Sequence, residues 1–317
     1  MEKLYVSPSP HLRTARNVKM IMLDVIISLI PAIIASAVIF GVRSLMIIGV
    51  TVLSCVIAEY ISRKVMKREN SIGDLSAVVT GILLAFNLPV SINPLIAVLG
   101  SIVSIVIVKQ MFGGIGQNFV NPALAGRIVL MVSFPTFMTT FSKPMYYLSQ
   151  NSDAVTTATP LAVIKESGMG VLPSYIDMFL GMRAGCLGET CAIALILGGI
   201  YLVIRKVIKP TIPVSFILTV FILSWLLGAD PVYSVLAGGV LLGAIFMATD
   251  YTTSPLTFSG KIIFGVGCGV ITVLIRQYGV LPEGVSYSIV LMNILVPHIE
   301  KLTKPRAFGQ EAKNNEN

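Results

Sequence analysis

Three groups of residues have the types and spacing that chemistry needs. The first is the run Ser152-Asp153-Ala154-Val155-Thr156-Thr157-Ala158-Thr159-Pro160. Read as composition alone, it is an extended stretch or turn, with Thr159 pushed away from helix by the proline after it. On a water-facing loop, however, exposed hydroxyls beside a carboxylate are what covalent modification requires. The second group runs from Phe112 to Arg127 and holds Gly113, Gly114, Gly116, Gly126, Asn118 and Asn121-Pro122. Its glycines permit positive φ and close backbone approach, and a helix opening at Pro122 would face its N-terminus toward an anion or a polar ring. Arg127 lies within an apolar segment, where an arginine costs about 2.5–3.5 kcal/mol on insertion scales, so it must face inward and find a carbonyl or acid.

The third group comprises the acids Asp24, Glu59, Asp74, Glu189, Asp230, Asp250 and Glu283. Intramembrane carboxylates are functional candidates by default, although several of these stand at segment ends that water reaches. Asp74 and Asp250, the latter followed by Thr252-Thr253-Ser254-Pro255, offer oxygen ligands suited to a hard cation such as sodium. These two are read as ion-path residues. Cys55, Cys186, Cys191 and Cys268 are scattered and form no Cys-x-x-Cys pattern, while His11 and His298 sit near opposite ends. A zinc or iron–sulfur ligand set within this chain is therefore not expected, and no catalytic residue is assigned.

The elements that must position these groups are membrane spans. Of 317 residues, 55% are hydrophobic and 12% charged, about half the charge of a soluble domain. A bilayer core needs about 20 helical residues to cross. Ten apolar stretches qualify, at roughly 20–40, 44–62, 72–88, 94–111, 120–135, 187–204, 211–227, 232–248, 260–276 and 284–302. Two are interrupted, at Asn87-Leu88-Pro89 and Asn121-Pro122, and backbone that breaks at membrane depth must be buried in protein or line a cavity. The basic, proline-containing first nineteen residues lack the apolar core expected of a cleavable signal peptide, so none is expected there.

Net charge is +8, but the charges lie in short segments between apolar blocks, which argues against nucleic acid. With the N-terminus inside, seventeen of the 23 Lys and Arg fall on the cytoplasmic side, five fall outside and Arg127 lies within a span. Both termini are then cytoplasmic. Ser76-Ala-Val-Val-Thr-Gly-Ile-Leu-Leu aligns with Ser234-Val-Leu-Ala-Gly-Gly-Val-Leu-Leu, with Asp74 and Asp230 just ahead of each. Five spans separate the copies, so they run in opposite directions, as in inverted-repeat transporters. The expected fold is an all-α polytopic membrane protein. Residues 1–135 form a first five-span repeat, 136–183 an extracytoplasmic loop, and 184–317 a second five-span repeat with a cytoplasmic tail.

These residues resemble a known family, that of the D subunits of the Rnf ion-translocating ferredoxin:NAD oxidoreductases and the B subunits of sodium-pumping NADH:quinone reductases. The likeness runs nearly end to end. It includes Ser7-Pro8-Ser9-Pro10-His11, the Gly113-to-Arg127 stretch, Met247-Ala248-Thr249-Asp250 with Thr253-Ser254-Pro255, Leu281-Pro282-Glu283-Gly284-Val285 and Pro305-Arg306-Ala307-Phe308-Gly309. Asp153-x-x-Thr156-Thr157-Ala158-Thr159 is similar to the family's flavinylation signature, Asp-x-x-Ser/Thr-Gly-Ala-Thr, with Thr157 standing where glycine is usual.

The resemblance implies FMN held by a phosphoester on Thr159, installed by an extracytoplasmic flavin transferase. It also implies a non-covalent riboflavin, for which Gly113, Gly114, Asn118 and Arg127 are the candidate contacts. The implied fold is urea-channel-like, with two inverted five-helix repeats in the prokaryotic cell membrane. The implied partners are the A, B, C, E and G subunits of an Rnf complex, coupling electron transfer between ferredoxin and NAD to Na+ or H+ movement. Two other classes stand beside this reading: a urea-channel-like transporter without redox chemistry, and a structural subunit whose flavin site is vestigial because of Thr157. Covalently attached flavin separates the three.

Overall fold

The chain is described by a computed structural model over residues 17–148, 156–166, 172–279 and 283–304. Apolar composition makes it helical almost throughout. The helices are α1 (Val18–Phe40), α2 (Val42–Val65), α3 (Ser76–Phe86), α4 (Pro94–Ile102, continuing in π-helical register over Val103–Gln110) and α5 (Pro122–Ser133). They continue with α6 (Pro135–Thr139), α7 (Pro160–Glu166), α8 (Tyr175–Leu180), α9 (Ala192–Ile204) and α10 (Thr211–Leu226). The last are α11 (Pro231–Leu236), α12 (Val240–Leu242, continuing as π-helix over Gly243–Met247), α13 (Phe258–Tyr278) and α14 (Val285–Thr303). Three of them, α1, α2 and α13, are long and apolar enough to cross a membrane unaided, and five more are shorter apolar helices. The chain is a membrane protein.

Helix starts follow local chemistry. Asn93, Asn121 and Asp230 each precede a proline, and each side chain accepts the backbone N–H groups of the first turn. A polar cap followed by proline at the first helical position satisfies a donor and presets φ at once.

The helices are held by close backbone approach rather than by a water-driven core, since lipid is as apolar as leucine. A Cβ on Gly265 would lie 3.0 Å from the Ile212 carbonyl, and one on Gly269 would meet the Thr219 side chain at 2.6 Å. These two glycines, four residues apart on α13, form the seam with α10. Gly81 does the same for α3 against the Val52 backbone of α2, at 2.7 Å. Gly198 of α9 presses on the Ser28 carbonyl of α1.

Two expected spans are broken. The stretch at 72–88 holds a 3-10 turn over Ile72–Asp74 and only eleven residues of α-helix. That at 232–248 is split into α11 and α12 by Ala237-Gly238-Gly239, with Gly238 at φ +63°. The span expected from 187 starts at Ala192, because residues 181–191 form a loop that packs on the end of α3. The glycines and polar residues in these stretches favour turns over a continuous helix. The other seven boundaries lie within a few residues of the sequence reading.

Between α6 and α9 lies the long loop. Phe141–Ser142 and Thr156–Thr157 pair antiparallel, Phe141 opposite Thr157. The helices α7 and α8 follow.

Replacing Gly265 by valine should push α10 and α13 apart and lower stability by about 1–3 kcal/mol. The check is a lower thermal unfolding midpoint of the detergent-solubilised protein, with Gly49→Val, where a Cβ meets nothing within 4 Å, as the neutral control.

Candidate functional sites

A cavity of about 380 Å³ opens at the end of the bundle where α1 begins. Its wall is mostly apolar, from Val18, Met22, Leu83 and Phe246, and a few polar groups converge on it: Ser76, Lys109, Asn118, Asn121, Asp250 and Thr252. Ligand sites usually have this character, an apolar hollow with a small number of placed polar groups.

The Gly-rich turn after α4 builds one wall. Gly113, Gly114 and Gly116 all take positive φ, at 129°, 104° and 87°, which residues with a Cβ rarely adopt. The turn delivers Ile115, Gly116 and Asn118 to the cavity, whereas Gly113 and Gly114 are not among its lining residues. Asn121 caps α5 and donates to the Met247 carbonyl at 3.2 Å, tying the start of α5 to the end of the second π-helix. Across the cavity, Asp250 accepts from the hydroxyls of Thr252 (3.1 Å) and Thr253 (3.2 Å), and Thr252 also donates to Asn118 Oδ1 at 3.1 Å. Burial pushes the Asp250 carboxyl above its ordinary value, and these donors draw it partly back.

Asp74 plays another part. Its carboxylate accepts the Ser76 N–H at 2.8 Å and the Ser76 hydroxyl at 2.5 Å, so it is tied to the first residue of α3 and is not among the cavity's lining residues. Of the two acids read as ion-path residues, only Asp250 faces the hollow.

In the sequence Lys109 carries no site signal, and Glu59 looks like any other segment-end acid. Lys109 Nζ bonds Glu59 Oε2 at 2.9 Å and Ser76 Oγ at 2.5 Å, with both charged side chains buried. Gln110 and Ser71 donate to the other Glu59 oxygen at 2.9 and 2.6 Å. Local π-helical winding puts consecutive Lys109 and Gln110 on the same acid, and such windings recur at functional sites. The only available signal was one lysine at the end of an apolar run.

A second polar centre lies away from this cavity. Arg127, 3% exposed, donates to Asn87 Oδ1 at 2.8 Å, to Ser286 Oγ at 3.0 Å and to the Glu283 carboxylate, with Cys186 Sγ at 3.8 Å. The expected inward, paired arginine is therefore present, and its acid is Glu283. It is not among the lining residues of the 380 Å³ cavity, so the Gly113-to-Arg127 stretch splits between two centres. A helix from Pro122 to Ser133 is long enough to separate its cap from Arg127 by more than a turn.

Thr159 is 6% exposed, not presented outward as read from the sequence. Its hydroxyl accepts the Ala162 N–H at 3.3 Å and so caps α7. Thr157 is half-buried and its hydroxyl has no hydrogen-bond partner. Leu161 and the Arg276 guanidinium both approach Gly238, which seats α7 over the α11–α12 break. The side chain of Thr156 is not described, and Asp153 lies outside the described residues, as do His11 and the terminal Ser7-to-His11 and Pro305-to-Gly309 matches.

The family model for the NQR2, RnfD, RnfE family matches residues 5–309. The chain belongs to that family. Among similar proteins is the D subunit of the Na(+)-translocating ferredoxin:NAD(+) oxidoreductase complex of Acetobacterium woodii, 48% identical over 96% of this chain and 95% of that one. The D subunit of the proton-translocating ferredoxin:NAD(+) oxidoreductase complex of Clostridium ljungdahlii is 45% identical over 96% of each chain. The D subunit of the ion-translocating oxidoreductase complex of Pectobacterium atrosepticum is 34% identical over 96% of this chain and 98% of its own. Membership in the NQR2, RnfD, RnfE family gives the two polar centres a setting: a membrane subunit of an ion-translocating oxidoreductase complex.

Removing one partner of a buried pair strands the other charge, which typically costs about 3–5 kcal/mol. Lys109→Met should therefore lower the stability of the solubilised protein by that order. Adding Glu59→Leu should recover most of the loss, which a double-mutant cycle by thermal denaturation measures.

Proposed function

We propose that the chain is the D-type membrane subunit of an Rnf-like complex, carrying FMN on Thr159 and coupling electron transfer between ferredoxin and NAD to Na+ or H+ movement. The observation that carries it is the Asp153-x-x-Thr156-Thr157-Ala158-Thr159 run, met in a chain whose similar relatives are named as D subunits of such complexes.

Topology supports this reading. Seventeen of 23 Lys and Arg crowd one side, which the positive-inside tendency makes cytoplasmic. Both termini then face the cytoplasm and Thr159 the other side, where a flavin transferase outside the cytoplasm works. Helix packing supports a reading as two inverted five-helix halves. The helix α2 packs on α3 and α4 much as α10 packs on α11 and α13, and α1 meets α9 between them. Asp74 and Asp230 each accept a backbone N–H at the start of a broken helix.

The residues fit covalent FMN with one local change. Thr159 must turn its hydroxyl away from α7, and losing a threonine cap costs roughly 0.5–2 kcal/mol. The cationic Arg276 and Lys165, which bonds the Gly279 carbonyl, lie where α7 docks. Thr157 is the departure from the signature. A buried hydroxyl without a partner costs about 1–3 kcal/mol, so the loop tolerates this residue rather than needing it.

For a second, non-covalent flavin, the volume and apolar wall of the 380 Å³ cavity suit a fused ring. Asn118, Asn121 and Lys109 line it with polar groups already engaged inside the protein, so a ring there would be held chiefly by the apolar wall, and Gly113, Gly114 and Arg127 are not among the lining residues. When bound, a flavin supplies one- and two-electron chemistry, while the protein supplies placement and electrostatics.

The energetics are modest. Moving one monovalent ion against 100 mV costs about 2.3 kcal/mol, the same as one electron gains in falling 100 mV. A drop of one to two hundred millivolts per electron is thus of the order needed to expel about one ion. Asp250, with its two threonine hydroxyls beside the cavity, provides the oxygen-rich entry on the cytoplasmic side.

Two experiments test this. Co-expressed with a flavin transferase, the denatured chain should fluoresce in a gel. The signal should vanish in Thr159→Ala and persist in Thr157→Ala. A wild-type band that never fluoresces overturns the electron-carrier reading. Separately, Asp250→Asn should reduce cation-dependent turnover several-fold while flavin content is unchanged, and unaltered cation dependence removes Asp250 from the path.

A further inference from the structure

The second polar centre holds a carboxylate that nothing described so far uses. Glu189, 3% exposed, lies in the loop that covers the end of α3. Its Oε1 accepts the Cys186 N–H at 3.0 Å, and its Oε2 is buried with no donor. Glu189, Glu283 and Cys186 each bring a ligand atom within 4.8 Å of the other two.

The groups around it come from every neighbouring element. Arg127 of α5 contacts Glu283, the residue before Gly284 and α14. Arg183, in the same loop as Glu189, donates to the Glu189 and Thr190 carbonyls at 2.5 and 3.2 Å. Arg276 of α13 holds the Ser234 and Ala237 carbonyls. Asn87 and Ser286 are neutral and are occupied by Arg127.

Two carboxylates this close disfavour a double negative charge unless a cation joins them, and Arg127 is engaged with Glu283. The Glu189 Oε2 is therefore the carboxylate oxygen of the pair that has no hydrogen-bond donor. Three guanidiniums nearby argue against a divalent metal in the Cys186–Glu189–Glu283 trio.

Room exists beside Oε2. A Cβ on Gly239 would lie 3.3 Å from Glu189 Oε2 and 3.9 Å from Arg127 Nη1. Gly239 has φ −80°, which any residue adopts, so the backbone conformation does not require glycine there. What the missing side chain leaves is space next to the carboxylate.

We propose that Glu189 is an exchange site for one monovalent cation, a proton or an alkali ion, held on Oε2 where the two broken helices meet. The exchange is balanced: the carboxylic acid releases H+ as the alkali ion binds its carboxylate, and the site's net charge is unchanged. The proposal rests on the ion-carrying role given above and adds to it a station outside the cavity that Asp250 lines.

The test is dicyclohexylcarbodiimide, which attacks protonated carboxyls in apolar surroundings, applied to the assembled complex in its native membrane. Peptide mass spectrometry reads the Glu189 adduct, and cation uptake by vesicles is measured in parallel. Glu189 should be labelled. Above the carboxyl's pKa the labelling rate should fall about tenfold per pH unit. If the site takes sodium, Na+ should also slow labelling at fixed pH and fixed ionic strength, with choline as the replaced cation. If it takes only protons, Na+ should have no effect beyond choline. Both patterns support the site and name its ion.

An unlabelled Glu189 in vesicles that still pump, or labelling indifferent to both pH and Na+, overturns the proposal and leaves the ion-carrying reading intact. A labelled, pH-sensitive Glu189 in vesicles that pump nothing supports the site and overturns that reading instead. Gly239→Ala, which fills the space, should weaken the pH and Na+ dependence of labelling while the complex still assembles. An unchanged dependence there overturns the assignment of the binding space.

Discussion

A helix that stops inside an apolar solvent leaves backbone groups that only the protein itself can satisfy. Two helices of this chain stop in that way, α3 at Phe86 and α11 at Leu236, and the arrangement around them follows from the need to cover their ends. The Phe86 and Leu88 carbonyls accept the N–H groups of Gly188 and Leu187, which draws the loop before α9 into the bundle. The Asn87 side chain accepts from Arg127. At the second break, the Arg276 guanidinium takes the Ser234 and Ala237 carbonyls. Arg276 thus partners broken backbone directly, and Arg127 holds the Asn87 side chain at the other break.

Once these charges are committed, the remaining polar groups sort into separate centres. The Glu59–Lys109 pair and Asp250 gather near the 380 Å³ cavity, and Arg127, Glu189 and Glu283 gather near the helix breaks. The first centre is mostly apolar with a few placed groups, the character of a ligand site. The second is a dense charge network, in which every bond is strengthened by low dielectric and any missing one is expensive. The free oxygen of Glu189 is conspicuous for that reason. Close glycine seams on α3, α9 and α13 hold the helices near enough for these side chains to reach across.

Much of the architecture was legible in the chain. Apolar blocks about as long as a bilayer is thick gave ten segments, most of whose ends fall within a few residues of helices, and Asn-Pro and Asp-Pro pairs marked helix starts. Arg127 announced a buried partner because an unpaired arginine is too costly in lipid. The break at 237–239 was less visible, since Ala-Gly-Gly inside an apolar run is also compatible with a helix. Lys109 and Glu59 are fifty residues apart and each stands near a segment end, so either could as well have faced water.

By itself, the sequence determined that this is a helical membrane protein, which side its positive charges favour, which family it belongs to and which threonine matches the flavinylation signature. Those properties follow from hydrophobicity, charge count and short contiguous motifs, all of which act locally along the chain. Only the tertiary structure decided that Asp74 binds Ser76 at a helix start while Asp250 faces a cavity, and that the Gly113-to-Arg127 stretch serves two centres. It alone decided that the Thr159 hydroxyl turns inward and that Glu189 stands beside Glu283. Each of these depends on where a side chain points after distant segments have packed, and desolvation and pairing energies are set by that packing rather than by spacing in the chain.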